Sequence, residues 1–212
     1  MENRGEGLGR RPKFRERKGM AFQPRRAALL IIDMQKYFLD RRSHAYIPGS
    51  SQVLRKVKEL AESFRKRKLP VILTRHVNTG KNAGLMGLWW DDLITGPGGL
   101  SRIDPKLRRL SSLVIRKTQY AAFHKTPLER LLRGKRVSQL VITGVATHLC
   151  CETTARSAFV RGFAVFLPLD ATATFGRDYF RASLLNLAHG FAVLTSVKEL
   201  IHKLGEAFNA RP

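Results

Sequence analysis

The sequence is short of cysteine, of acidic residues and of long apolar runs, and each shortage excludes something. Its two cysteines, Cys150 and Cys151, are adjacent and cannot build a disulfide framework. Neighbouring cysteines on a helix point apart, so they do not bridge each other. There is no C-x-x-C pair, which removes the usual structural zinc site. No apolar run approaches the roughly 20 residues needed to span a membrane. The N-terminus is polar and basic rather than apolar like a signal peptide. A cytoplasmic protein is therefore expected. No G-x-G-x-x-G follows the first strand and no G-x-x-x-x-G-K-[ST] occurs, so dinucleotide and phosphate-loop readings lose support. There is no internal repeat.

The scarcity of acid is the strongest compositional feature. There are 39 Lys and Arg against 16 Asp and Glu, a formal charge of +23. Residues 1–26 hold nine basic and three acidic residues, so +17 lies on the rest of the chain. Such a balance favours solubility and loose attraction to polyanions. No zinc finger, RNA-binding aromatic motif or helix-turn-helix accompanies it. It reads as a generally basic surface, and nucleic-acid binding is not expected.

What is present is an alternation of strands and helices. Residues 1–25 are Gly-, Arg-, Lys- and Glu-rich without periodicity and are expected to form a flexible arm, with Met20 a candidate start. Residues 26–212 form the folded domain. Continuous apolar runs at 27–32, 70–74, 113–117, 137–143, 163–169 and 191–195 predict six strands buried on both faces. Helical spacing between them, including a final helix capped by Ser196, predicts a three-layer α/β/α sandwich around a six-stranded, mainly parallel sheet. Ser50 or Ser51 is the expected cap of a helix over 53–64. Residues 78–110 form a long connection of the kind used for lids or partner surfaces. Within it Trp89 and Trp90 either wall a pocket or fill an interface, and Asp91-Asp92 reads as a solvated pair.

Three chemistry-bearing residues stand directly at strand ends. Asp33 follows the first, Lys117 closes the third, and Cys150 lies just after the fourth. In a parallel sheet all three fall at the carboxyl edge, where such folds place their chemistry. A cysteine at a helix start loses its proton more easily than a free thiol. Asp33 can serve as its base, Lys117 can orient that carboxylate and stabilise charge, and unpaired helix-start amides can receive an oxyanion. The alternative is a buried Asp–Lys pair beside an inert thiol.

Four ordered motifs sharpen this: Leu29-Leu30-Ile31-Ile32-Asp33-Met34-Gln35, residues 116–123 (RKTQYAAF), residues 143–158 (TGVATHLCCETTARSA) and residues 169–174 (LDATAT). Over about residues 27–205 the chain resembles the isochorismatase-like cysteine hydrolases, a superfamily that includes nicotinamidases, N-carbamoylsarcosine amidase and ureidoacrylate amidase. The resemblance implies an Asp33–Lys117–Cys150 triad with Cys150 as nucleophile and Cys151 as a packing residue. It also implies a cis peptide between Val145 and Ala146, with the Ala146 and Cys150 amides as oxyanion hole. Gln35, Phe38, His76, Trp89, Tyr120 and His148 are candidate substrate-binding residues. The Asp-x-His metal motif of nicotinamidases is replaced by His76-Val77-Asn78, so no metal or other cofactor is expected. A small amide or ureido substrate, cleaved at its C–N bond through a thioester, is the expected chemistry. The alternatives are a vinyl-ether hydrolase of the isochorismatase type and a silent binding protein on this scaffold. A homodimer or homotetramer is the expected assembly.

Overall fold

Ala27–Ile32 forms β1, and every residue of it is buried. A strand covered on both faces has no solvent side to carry polar residues, which is why its sequence is an unbroken apolar run. In a computed structural model of the chain, which describes residues 20–96, 99–111 and 113–209, β1 lies at the centre of a parallel sheet. The other strands are β2 (Val71–His76), β3 (Val114–Lys117), β4 (Gln139–Val145), β5 (Ala164–Pro168), β6 (Thr172–Ala173) and β7 (Val193–Thr195). Their order is β3-β2-β1-β4-β5-β7, and β6 pairs with the end of β4. The six expected strands are all present. The two-residue β6 makes a seventh.

Alternate side chains of β1 serve two separate cores. Ala27, Leu29 and Ile31 pack with the helices Ser50–Lys66 and Val197–Asn209 through Val57, Leu60, Phe64, Leu200 and Leu204. Ala28, Leu30 and Ile32 pack on the other face with the helices Leu128–Gly134, Glu152–Phe159 and Arg177–Gly190 through Leu128, Leu132, Ala155 and Leu187. Each fully buried Leu or Ile is worth about 1.5–3 kcal/mol of transfer free energy, so the two cores lock the register of the sheet.

Two boundaries differ from expectation. The folded part begins before residue 26: Phe22 is buried and meets Phe166 edge-on, and Pro24–Arg26 forms a 3-10 turn. The remainder of the expected arm, residues 1–19, lies outside the described residues. The helix over 50–66 is capped by Gly49 at φ 82°, not by Ser50 or Ser51, because the chain enters it in a left-handed conformation. Ser196 does cap the last helix. Its Oγ accepts from the Glu199 amide, while Glu199 accepts from the Ser196 amide, a reciprocal capping box. Among the described residues no helix is long and apolar enough to cross a membrane.

Candidate active site

The strand order reverses between β1 and β4, so connections leave these neighbours in opposite directions and open a crevice beyond their carboxyl ends. Asp33 follows β1 at one side of that crevice and Cys150 follows β4 at the other. Between the two strands, Ile32 is paired with Gly144. A Cβ on Gly144 would lie 2.1 Å from the Ile32 carbonyl oxygen, and its φ is 109°, so only glycine allows β4 to end so close to Asp33. The chain then passes through a cis Val145–Ala146 peptide into the π-helical turn Thr147–Cys151.

Lys117, at the end of β3, is paired in register with His76 at the end of β2. From there its side chain reaches past β2 to the crevice. Its Nζ lies 2.7 Å from Asp33 Oδ2, 3.1 Å from His76 Nδ1, 2.9 Å from the Gln119 carbonyl and 3.3 Å from Cys150 Sγ. An ammonium has three protons, and four acceptors crowd around this one. Thr74 fixes the carboxylate from the other side: its hydroxyl donates to Asp33 Oδ1 at 2.6 Å and accepts from the Asp33 amide at 3.0 Å. Asp33 and Lys117 are fully enclosed, and Cys150 is 6 % exposed.

The electrostatics arise from this enclosure. Burial alone would lower the pKa of Lys117, but Asp33 and Cys150 outweigh it, and the net shift is upward, so the ammonium stays charged. His76 is pushed down by burial and then by Lys117, which keeps it neutral. Neutral His76 accepts from Lys117 at Nδ1 and donates from Nε2 to Asn78 Oδ1 at 2.6 Å. Burial raises the Cys150 thiol to about 12; Lys117 opposes the shift and Asp33 adds to it. Desolvation of the sulfur therefore works against the easy ionisation expected of a cysteine at a helix start, and the residue sits in a π turn ahead of the α-helix.

Asp33, His76 and Cys150 present ligand atoms within 4.8 Å of one another, a grouping that would suit a metal ion by distance alone. The Lys117 ammonium lies within 3.3 Å of all three, at the point a cation would occupy. A divalent ion there would meet a buried positive charge, so the donor set does not fit one.

Above the thiol lies a cavity of about 310 Å³. Of the candidate substrate-binding residues, Phe38, His76 and Tyr120 line it, and so do Ala146 and Cys150. Gln35 does not. It is fully buried and tied to both the His76 amide and carbonyl and to the Ser101 carbonyl, so it braces β2 rather than facing a ligand. Trp89 is 79 % exposed and points away; Trp90 lines the cavity instead, its Nε1 donating to the Tyr120 hydroxyl at 2.8 Å. His148 is turned to Thr174 Oγ1 and stacks on Tyr179, outside the cavity. Asp92 is not merely solvated. It accepts from Tyr37 Oη at 2.5 Å and lies 3.4 Å from His44 Nε2, which ties the 78–110 connection to the segment after β1. Thr74 is not singled out by the sequence; the first polar residue after the apolar run Val71–Leu73 is its only signal.

The isochorismatase domain, as a family, matches residues 27–199 of this chain. The chain belongs to the isochorismatase family. Nicotinamidase 3 of Arabidopsis thaliana is 37% identical over 183 residues, covering 84% of this chain and 88% of that protein. Enterobactin synthase component B of Escherichia coli is 34% identical over 184 residues, covering 85% of this chain and 64% of that longer protein. A crystal structure of a cysteine hydrolase from Pseudomonas syringae pv. phaseolicola superimposes with a TM-score of 0.81 at 26% identity, covering 88% of this chain and 95% of the other. This isochorismatase-family hydrolase therefore has the family fold together with a cysteine that lines its cavity and, enclosed behind it, a lysine in contact with both that cysteine and an aspartate.

Proposed function

We propose that the protein is a metal-independent amidohydrolase that opens a C–N bond of a small amide or ureido compound through a thioester. The observation that carries this reading is the contact of Cys150, Lys117 and Asp33 beneath the cavity, at 3.3 Å and 2.7 Å. The resting thiol is protonated, so attack and deprotonation are coupled. Asp33 takes the thiol proton as Sγ bonds to the substrate carbonyl carbon, and the carbonyl π pair moves to oxygen. The amides of Ala146 and Cys150 receive that oxyanion. Collapse breaks the C–N bond, and Asp33 returns its proton to the departing nitrogen, leaving a thioester. Asp33 then deprotonates a water that adds to the thioester carbon. The sulfur leaves, regains a proton and releases the acid. Lys117 stays charged throughout and offsets the negative charge that moves between Asp33 and the sulfur.

The cavity lining favours this over vinyl-ether hydrolysis. Isochorismate carries two carboxylates, yet the described lining residues include Asp91 and Asp92 and no Arg or Lys, in a chain of net charge +23. A neutral or weakly basic planar amide among Phe38, Trp90, Tyr120 and Phe175 suits those walls. The test is an ammonia-release screen over carboxamides, including nicotinamide, and ureido compounds, with and without chelator. Turnover unaffected by chelator is expected, together with a loss on the order of 10⁴-fold in Cys150→Ala. Cys151→Ala should retain activity, since that side chain is wholly buried in the core. Full turnover by Cys150→Ala, or turnover of isochorismate alone, would refute the thioester route.

A further inference from the structure

The fold sorts the excess charge by sheet edge. Every strand is parallel, so the segments leading into β1 to β5 all emerge at the amino edge, opposite the cavity. Each of these segments delivers cations: Arg25 and Arg26 into β1, residues 65–68 (RKRK) into β2, Arg108 and Arg109 toward β3, residues 133–136 (RGKR) into β4 and Arg161 into β5. Residues 20–26, 65–70, 106–111, 133–138 and 160–163 contain no Asp or Glu. At the carboxyl edge, by contrast, Asp40, Asp91, Asp92, Asp170 and Asp178 are interspersed with the bases.

The basic segments are contiguous in space as well as in topology. Arg65 donates to the Arg109 carbonyl, Arg25 and Arg67 reach the carbonyls of Ala207 and Leu204, and Arg133 donates to the Arg161 carbonyl. Arg25 and Arg67 both lie over the Phe208 ring. For Arg25, Arg65 and Arg67 these contacts are to neutral groups and leave the charge uncompensated. Carboxylates intervene at two places: Glu129 pairs with Arg133 and Arg161 at one end of the row, and Glu206, paired with His202, stands on the helix end that Arg25 and Arg67 touch. From β3 to β5 the row spans about 20 Å at ordinary strand spacing.

Composition alone pointed to a diffusely basic surface and no nucleic-acid binding, but the collection of cations at one edge leads elsewhere: we propose that the amino edge of the sheet is a binding surface for the phosphodiester backbone of a nucleic acid, separate from the hydrolytic cavity. Its cations are mainly arginines, whose planar forks suit phosphate oxygens. A continuous row of such length matches a polymer of regularly spaced negative charge rather than a single small anion. A lipid surface fits less well, because stable membrane attachment needs inserted apolar groups as well as cations. Among the described residues, the exposed large apolar side chains Leu85, Leu88, Trp89, Trp90, Leu100 and Phe175 belong to carboxyl-edge connections, Tyr179 and Leu185 to the helix Arg177–Gly190, and Phe159 and Val160 stand beside the basic row. The row carries no base-reading motif, so the surface would engage the backbone without sequence preference.

The test is fluorescence anisotropy of the full-length protein with labelled oligo(U) and oligo(dT), titrated across a salt series. Two variants remove equal charge. One replaces Arg26, Lys66, Arg109 and Lys135 by Gln at the amino edge; the other replaces Arg55, Lys125, Arg177 and Lys198 by Gln elsewhere. Amino-edge substitution should weaken binding about tenfold or more and flatten the dependence of log K on log salt. The second variant should change affinity much less, and thermal melting should confirm that both are folded. Equal loss in both variants would mean diffuse attraction and would overturn the proposal. So would binding to phosphatidylserine vesicles with none to either oligonucleotide. Because the readout is binding, the outcome does not depend on which substrate the cavity hydrolyses.

Discussion

At the scale of single residues, burial decides the chemistry. Cys150, Lys117 and Asp33 share one enclosed pocket of charge, and the thiol rises to about 12 because desolvation outweighs the adjacent ammonium. Below that value the thiolate fraction grows tenfold per pH unit, so alkylation of Cys150 by iodoacetamide in the free protein should accelerate about a hundredfold between pH 7 and pH 9. Rates followed by intact-mass spectrometry would check this; a plateau below pH 8 would show an activated resting thiolate. Lys117→Met leaves Asp33 as an uncompensated buried charge and should cost about 3–5 kcal/mol in denaturant unfolding. The double variant Asp33→Asn, Lys117→Met should cost less than the sum of the single changes, since neither charge is then stranded. The identities of Asp33, Lys117 and Cys150 were readable because Asp33 directly follows one apolar run, Lys117 ends another and Cys150 lies in the short turn after a third. The role of Thr74 as a clamp on Asp33, and of His76 with Asn78 as a brace on Lys117, was not, because both depend on the lateral order of strands.

At the scale of elements, the strand ends are placed by backbone geometry and the connections by packing. Gly144 stands where β4 closes on β1, and Gly144→Ala should destabilise the protein by more than about 3 kcal/mol, since a methyl group would meet the Ile32 carbonyl and φ is positive. Thermal melts and turnover of the same variant would check it: the expectation is a lowered Tm together with reduced kcat, because the shift separates Asp33 from Cys150. A neutral outcome would mean that β4 can relax away from β1 without cost. The long 78–110 connection was recognisable as a lid-like segment, but not which of its tryptophans faces inward. Trp89 ends the one-turn helix Met86–Trp89 and Trp90 comes next, and neighbouring helical positions point about 100° apart, so one step separates solvent from cavity. Gln35 and His148 were misplaced for a related reason: each lies near a strand end in sequence, yet its side chain is claimed by neighbouring backbone or by Thr174 and Tyr179.

At the scale of the whole molecule, the net charge of +23 opposes compaction. Screening should therefore stabilise it, with Tm rising by about 2–5 °C as NaCl increases from about 10 to 300 mM. Differential scanning calorimetry would check the sign, and a fall would show that ion pairs such as Arg156–Glu152 outweigh the repulsion. The sequence by itself determined the layered parallel fold, the edge at which the chemistry gathers and the three residues that meet there. Strands buried on both faces must be written as unbroken apolar runs, and in a parallel sheet the segments after these runs all emerge on the same side. Only the tertiary structure decided the enclosure of the thiol, the inward-facing walls of the cavity and the joining of the basic segments into one row. Those depend on desolvation, on the direction of side chains beyond the strand ends and on lateral strand order, none of which is carried by spacing along the chain.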